Sequence, residues 1–265
     1  MKDAILQALP AHHPWRDSIH WFDTVTSTND LARQLGRQGA PEGTVLIAGH
    51  QTGGRGRMGR SFHSPEGMGI YLTVILRPAC APDALMHLTC AAAEAACNAV
   101  ELSAGIRPGI KWINDLVWEK RKIGGILTEL VLTPRGTLDS AIIGIGINCC
   151  QKATDFPDDI REIASSLAIA TGSVPDRAAL AAALIREFCA MSSHLLSGQT
   201  EMLERYRRDC VTLGKEVVLI RGDQRRYGTA MDLDSCGSLI LRFPDGTAET
   251  VNSGEVSIRG MYGYV

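Results

Sequence analysis

The segment His50-Gln-Thr-Gly-Gly-Arg-Gly-Arg-Met-Gly-Arg60 gathers four glycines and three arginines, far more than a connecting turn requires. Glycines let a backbone come close to a ligand and expose its N–H groups, and guanidinium groups present forked donors to phosphate or carboxylate. Such a loop suits an anion. A solvated basic loop has the same composition, and the spacing matches neither a P-loop nor a dinucleotide fold, because Ser61-Phe-His-Ser-Pro65 follows where a helix would be needed.

Two further clusters carry polar chemistry within apolar surroundings. Lys111-Trp-Ile-Asn-Asp-Leu-Val-Trp-Glu-Lys-Arg-Lys-Ile-Gly-Gly-Ile126 puts Asn114 and Asp115 at a turn and three cations before a Gly-Gly pair. Taken alone, Glu119 to Lys122 reads as a charged hairpin tip. Gly144-Ile-Gly-Ile-Asn148 sets glycines inside a strand pattern, which marks a close backbone approach.

These residues need a frame. Ser27 precedes Leu31 and Leu35 as an N-cap, with Asp30 as an acidic first-turn residue of a short helix. Thr44 to His50 has strand composition and runs into the glycine-rich loop. Gly69 to Arg77 is β-branched and apolar, whereas Pro82 to Leu102 is rich in alanine and leucine and predicts a mostly buried helix. Ile110 to Ile113, Leu116 to Trp118, Ile126 to Leu132 and Leu138 to Ile147 read as short strands, so the centre of the chain is a sheet. Asp176 caps a helix reaching Leu196, and Glu201 to Cys210 continues helical. After Gly214 the texture changes: Lys215 to Arg221, Arg226 to Leu233, Ser238 to Phe243, Thr247 to Val251 and Glu255 to Ile258 are short strands divided by turns, the pattern of a small SH3-like barrel. The expected boundary lies near residue 212, giving units 1–212 and 213–265.

Composition excludes several classes. The chain has 265 residues, with 27 basic and 29 acidic side chains and a formal net charge of −2, so no strong overall field draws it to nucleic acid or to an anionic membrane. Neither a signal peptide nor a membrane span is apparent, and the expected location is the cytoplasm. The eight cysteines form no CxxC or CxxH spacing and read as small buried hydrophobes in a reducing compartment. His12 and His13 read as surface residues.

In order along the chain, Ser27-Thr-Asn29, the GRGRMGR run at 54–60, KWINDL at 111–116, Lys122-Ile-Gly-Gly-Ile126 and GIGIN at 144–148 closely resemble the biotin protein ligase family. The resemblance implies an α+β fold: a mixed sheet flanked by helices, of the kind shared with class II aminoacyl-tRNA synthetases and lipoate ligases. Residues 1–212 would form that catalytic unit and 213–265 the SH3-like barrel. It also implies activation of biotin by ATP and Mg²⁺ to biotinyl-5′-AMP, followed by transfer to a lysine of a biotin carboxyl carrier protein. The same carry-over gives catalytic roles to Lys122, Arg57, Lys111 and Asp115. It gives biotin contacts to Ser27, Thr28, Asn29, Gln51, Arg55, Gly56, Arg57 and Lys122, and nucleotide contacts to Arg57, Arg60, Phe62, Lys111 and Asn148. Metal ligands stay unassigned, and either a monomer or a homodimer fits.

The chain departs from the family pattern at Ile113, where proline is usual, and at Phe62, where tryptophan is common. Only about twenty residues precede Trp21, too few for the winged helix-turn-helix of repressor-type members. The expectation is a ligase without its own DNA-binding domain and without specific DNA binding. The rival readings are a lipoate or octanoate ligase or transferase, a non-catalytic biotin-binding regulator, and a nucleic-acid binder using Arg55, Arg57 and Arg60. Four glycines and three mutually repelling arginines also predict that residues 53–64 order only around an anion.

Overall fold

In a computed structural model, which describes residues 1–252 and 257–260, the central apolar runs form a seven-stranded mixed sheet. Its strands are β1 (Ile19–Val25), β2 (Thr44–Gln51), β3 (Gly69–Leu76), β4 (Gly109–Lys111), β5 (Asp115–Trp118), β6 (Arg121–Leu132) and β7 (Leu138–Asn148), in the order β1-β2-β3-β7-β6-β5-β4. β1 runs parallel to β2 and every other pair is antiparallel. Every residue of β3 is buried, which explains why it reads as an unbroken β-branched and apolar run: both faces of the sheet are covered.

The helices are α1 (Lys2–Ala8), α2 (Thr28–Arg37), α3 (Leu88–Ala104), α4 (Leu167–Thr171), α5 (Arg177–His194) and α6 (Gln199–Asp209). Strand alternation splits the core in two. Val45, Ile47, Val74, Ile143 and Ile145 face the large cluster under α3 and α5, where alanines 91, 92, 95, 96 and 99 bring helix backbones close together. Leu46, Ile75 and Ile142 face the other way, onto Ala32 of α2. Along β7 the alternation that places Ile142 beneath α2 continues as Gly144 and Gly146, so side chains stop filling that face just where α2 begins. That gap is the floor of the site.

Most expected elements form, with shifted edges. The predicted Pro82–Leu102 helix divides into a 3-10 turn at Pro82–Leu85 and α3, which ends at Gly105 in the left-handed region. The hairpin between β5 and β6 turns on Glu119 and Lys120, both at positive φ, so Arg121 and Lys122 lie in β6 and only the first half of the expected tip is a turn. Two consecutive positive φ values match the twist of a two-residue hairpin, but neither residue is the Asn or Gly that would advertise it. α1, β1 and α4 were not assigned from the sequence.

The C-terminal strands β8 (Glu216–Arg221), β9 (Gln224–Leu233), β10 (Leu239–Arg242), β11 (Ala248–Val251) and β12 (Ser257–Gly260) form an antiparallel SH3-like sheet, ordered β11-β10-β9-β8-β12. The first two residues of the expected strand Glu255–Ile258 lie outside the described residues. Val217, Leu219, Leu239 and Leu241 pack into the same apolar cluster as α3. Trp112, joined to Ile113 by a cis peptide bond, donates its indole N–H to the Gly237 carbonyl (3.0 Å) and its backbone N–H to Thr212 Oγ1 (2.9 Å). Tyr206 donates its hydroxyl to the Ile113 carbonyl (3.1 Å). The turn after Lys111 is thus held from α6, the linker and the C-terminal sheet. Among the described residues no helix is long and apolar enough to cross a membrane.

Candidate active site

A cavity of about 460 Å³ opens between the N-terminus of α2, the arginine loop and strands β4 to β7. Ser27, Thr28, Asn29, Gln51, Arg55, Gly56, Arg57, Arg60, Phe62, Lys111, Asp115 and Lys122 all line it, although they come from five separate stretches of sequence. Asn148 does not line it. It is buried at the end of β7, where its amide donates to the Ser165 carbonyl (2.9 Å) and accepts from Gln151 (3.3 Å).

One end of the cavity is lined mainly by neutral polar groups, with Arg55 beside them. Ser27 caps α2, accepting from the Asp30 N–H (3.4 Å), and the next two residues turn into the sheet. Thr28 donates from its backbone N–H (2.8 Å) and its hydroxyl (3.0 Å) to Gln51 Oε1, which turns the Gln51 amide nitrogen toward Ser64 Oγ at 3.0 Å. The Thr73 hydroxyl on β3 lies 2.8 Å from both Thr28 Oγ1 and Asn29 Oδ1. Asn29 Nδ2 donates to the Leu127 carbonyl (3.2 Å) and to Glu129 Oε2 (2.9 Å). Asn29 fits only because residue 144 is glycine: a Cβ there would stand 1.8 Å from Asn29 Oδ1.

The other end is cationic. Lys122 Nζ donates to Asp115 Oδ1 (2.5 Å), and Gly125 leaves it room, a Cβ there lying 3.0 Å from Nζ. Backbone bonds from Lys122 N to the Ile163 carbonyl (2.7 Å) and from Ser165 N to the Lys122 carbonyl (2.8 Å) clamp that part of β6. Asn114 links the cations, accepting from Arg57 NH1 (3.0 Å) and donating to Asp115 Oδ1 (3.2 Å) and the Ile126 carbonyl (3.0 Å). Burial pushes the Arg57 guanidinium down from its ordinary value, opposed by the Asp115 charge and reinforced by Arg60. Arg57 nevertheless keeps its charge at any physiological pH. Lys111 is 7% exposed at the end of β4.

The loop over both ends is a hairpin. Phe62 N donates to the Gly54 carbonyl (2.8 Å) and Gly56 N to the Arg60 carbonyl (2.7 Å), while Met58 and Gly59 at the tip take positive φ. Its base is tied down, since Arg55 NH1 donates to Asp30 Oδ1 (2.8 Å) and Glu129 Oε1 (3.1 Å), carboxylates that Arg33 also pairs with. The Phe62 ring rests on Gly146, where a Cβ would stand 2.4 Å from it. The pairing of its arms and the anions behind Arg55 are tertiary features that composition does not show.

Sequence reasoning missed Thr73, Ser64, Ile163 and Glu129, and assigned no chemical role to Asn114. Glu129 left a signal: it is the one charge in Ile126-Leu-Thr-Glu-Leu-Val131, an otherwise apolar strand. Ile163, which lines the cationic end, left none, because its loop reaches the site only by pairing with β6.

Comparison with known proteins bears on this arrangement. The model of the biotin/lipoate A/B protein ligase family matches residues 21–148, and that of the biotin protein ligase C-terminal domain matches residues 212–259. The bifunctional ligase/repressor BirA of Bacillus subtilis is 36% identical over 227 residues, covering 85% of this chain and 70% of that protein. The biotin–(acetyl-CoA-carboxylase) ligase of Mycobacterium tuberculosis is 31% identical over 255 residues, covering 94% of this chain and 92% of that protein. Among solved structures, the biotin protein ligase of Aquifex aeolicus in complex with biotin and ATP superposes with a TM-score of 0.77 at 29% identity, over 91% of this chain and 98% of that one. Since likeness at this level runs through both the main sheet and the C-terminal unit, the chain belongs to the biotin protein ligases of the biotin/lipoate A/B protein ligase family.

Proposed function

We propose that the cavity binds biotin and ATP side by side, forms biotinyl-5′-AMP with release of pyrophosphate, and passes the biotinyl group to a lysine of a carboxyl carrier protein. The single observation that carries this reading is the polarity of the cavity, neutral at Asn29, Thr28 and Gln51 and cationic at Lys122, Lys111 and Arg57. It matches a ligand with a neutral hydrogen-bonding head and an anionic tail that meets a polyphosphate. In the first step a biotin carboxylate oxygen attacks the α-phosphorus of ATP and the bond to pyrophosphate breaks. The obstacle is bringing an anion to a polyanion, and fixed cations offset it without covalent participation by the protein. Lys122, lying over Gly125, sits beside the reacting oxygens. Lys111 and Arg60 bind phosphate, Arg57 spans tail and anhydride, and Gly56 lets the loop backbone approach. In the second step the carrier's neutral amine attacks the acyl carbon and AMP leaves.

Buried amide and hydroxyl groups discriminate sharply, because a ligand without a ureido head would leave them unpaired. Ser27, Thr28, Asn29, Gln51 and Arg55 serve that end. Phe62 offers an aromatic face to the adenine once it leaves Gly146. Asn148 supports the nucleotide indirectly, from beneath the loop that carries Ser165.

Asp115 is the one carboxylate among the described residues lining the cavity, and no group of three potential metal-ligating side chains occurs among the described residues. That donor set fits Mg²⁺, which takes one or two carboxylates and completes its shell with phosphate oxygens and water. When bound it would supply positive charge to the phosphates. The same reading puts the reaction in the cytoplasm, by residues 1–212, with Gly237 of the unit 213–265 bracing the Trp112 turn. With a net charge of −2 the chain should bind duplex DNA only weakly and non-specifically; a salt-resistant, sequence-selective band shift would overturn that.

The deciding experiment is biotin-dependent exchange of labelled pyrophosphate into ATP, with lipoate and octanoate as alternative acids. Exchange with biotin alone is the expected result. Exchange driven equally by lipoate or octanoate would favour the lipoate-type activity, and none with any acid would remove the enzymatic reading.

A further inference from the structure

Glu129 lies outside the lining of the cavity, in the second half of β6, with its side chain 20% exposed. Its carboxylate draws donors from three places. Asn29 Nδ2 comes from the first turn of α2 at 2.9 Å, Arg33 NH1 from its second turn at 3.5 Å, and Arg55 NH1 from the base of the arginine hairpin at 3.1 and 3.4 Å to the two oxygens. Asp30 faces the same two arginines. Two carboxylates and two guanidinium groups therefore form a charge-balanced cluster beside the cavity, which Arg55 itself lines, and within it Glu129 is the side chain that accepts from Asn29.

A carboxylate can only accept hydrogen bonds. Together with the Leu127 carbonyl, Glu129 therefore holds the Asn29 nitrogen toward β6 and its oxygen toward Thr73, at the start of the buried chain that continues through Thr28 and Gln51 to Ser64. The same carboxylate anchors the loop beside that chain through Arg55. We propose that Glu129 is a positioning residue for the neutral head of the carboxylic acid substrate: it fixes the direction of the Asn29 amide and fastens the base of the arginine hairpin next to it. The inference rests on the assignment of the Asn29 end of the cavity to that head group. Glu129 touches neither reacting atoms nor phosphate, so its removal alters recognition of one substrate and leaves the chemistry in place.

The test is steady-state kinetics of biotin-dependent pyrophosphate exchange, varying biotin at saturating ATP and then ATP at saturating biotin. Glu129→Gln keeps the shape and an acceptor for Asn29 but loses the charge facing Arg55. It should raise KM for biotin by about fivefold to tenfold, the usual scale for the net contribution of one hydrogen bond, with KM for ATP and kcat within about twofold. Glu129→Ala should raise it further. Asp30→Asn, which removes the second anion but leaves Asn29 in place, should have the smaller effect. In the double variant with Arg55→Ala the effects should be less than multiplicative, because the two groups act on one another. Melting curves show whether each variant is folded, and the isosteric Gln variant carries the test if Ala unfolds the chain. Unchanged KM for biotin in Glu129→Gln, or an equal rise for biotin and ATP, would overturn this role while normal wild-type exchange kept the enzymatic reading intact. A wild-type chain without biotin-dependent exchange would instead remove that reading and this role with it.

Discussion

At one end of the cavity Thr28, Asn29 and Thr73 are buried and joined by hydrogen bonds between neutral groups that run across β3 to β2, with the Glu129 carboxylate behind Asn29, whereas at the other Lys122 and Arg57 are cations held by Asp115 and Asn114. The first network lies on the sheet and on a capped helix end, with each partner fixed by a neighbouring strand. The second joins the ends of β4 and β5 and the start of β6 to the arginine hairpin, and Asp115 is the one carboxylate among the described residues that line it. Preorganisation differs accordingly. A neutral buried network costs little to keep in place and rejects ligands that cannot satisfy it. A cluster of cations is held against its own repulsion, and an anionic ligand would relieve that repulsion.

On that contrast, the largest loss comes from the cationic end. Lys122→Ala should slow formation of biotinyl-adenylate by about thirtyfold or more, roughly 2 kcal/mol of transition-state stabilisation. Rapid-quench measurement of the adenylate checks it, and near-normal rates in folded protein would take Lys122 out of the reaction. The next loss probes the neutral end from beneath. Gly144→Ala drives a methyl group into Asn29 Oδ1, so Kd for biotin should rise by about tenfold while ATP binding changes little, since close-packed groups can relax only partly. Titration calorimetry with each ligand separates the two, and equal losses would mean that the ends are not independent. Phe62→Ala is a smaller perturbation at the border between them. It should raise KM for ATP by about threefold to fivefold through the lost aromatic surface, with KM for biotin nearly constant. The smallest effect concerns the loop. Arg55 is tied to Asp30 and Glu129 and Arg57 to Asn114, while Arg60 is exposed beside the Met58–Gly59 tip, so limited trypsin digestion of the free protein should cut at Arg60 before Arg55 or Arg57. Biotin with ATP and Mg²⁺ should suppress those cuts, and ATP alone should do so less. Cleavage first at Arg55 would show that the hairpin base is no anchor.

Much of the chemistry was legible in the order of short motifs. The glycine–arginine loop, Lys111 to Asp115, Lys122 and the strand glycines each carried a local reason, because glycine marks a close approach and clustered cations mark an anion wherever they sit in a fold. Strand and helix content followed from periodicity, as the buried run of β3 and the capped start of α2 illustrate. Other features were not written locally. Lys122 looked like part of a hairpin tip until the Glu119–Lys120 turn put it in β6. Gly144 and Gly146 announced only room, and what fills it, Asn29 in one case and Phe62 in the other, depends on α2 and the loop meeting β7.

What the sequence determined by itself is the set of reactive groups and the family they mark, since those depend on residue type and spacing. What the tertiary structure alone decided is which groups face one another: the pairing of Lys122 with Asp115, the chain from Asn29 to Ser64, and the four-charge cluster through Glu129. The reason is range. A hydrogen bond or ion pair acts over a few ångströms, and the partners here stand up to a hundred residues apart in the chain, as Asn29 and Glu129 do. Only the register of the strands brings them within reach.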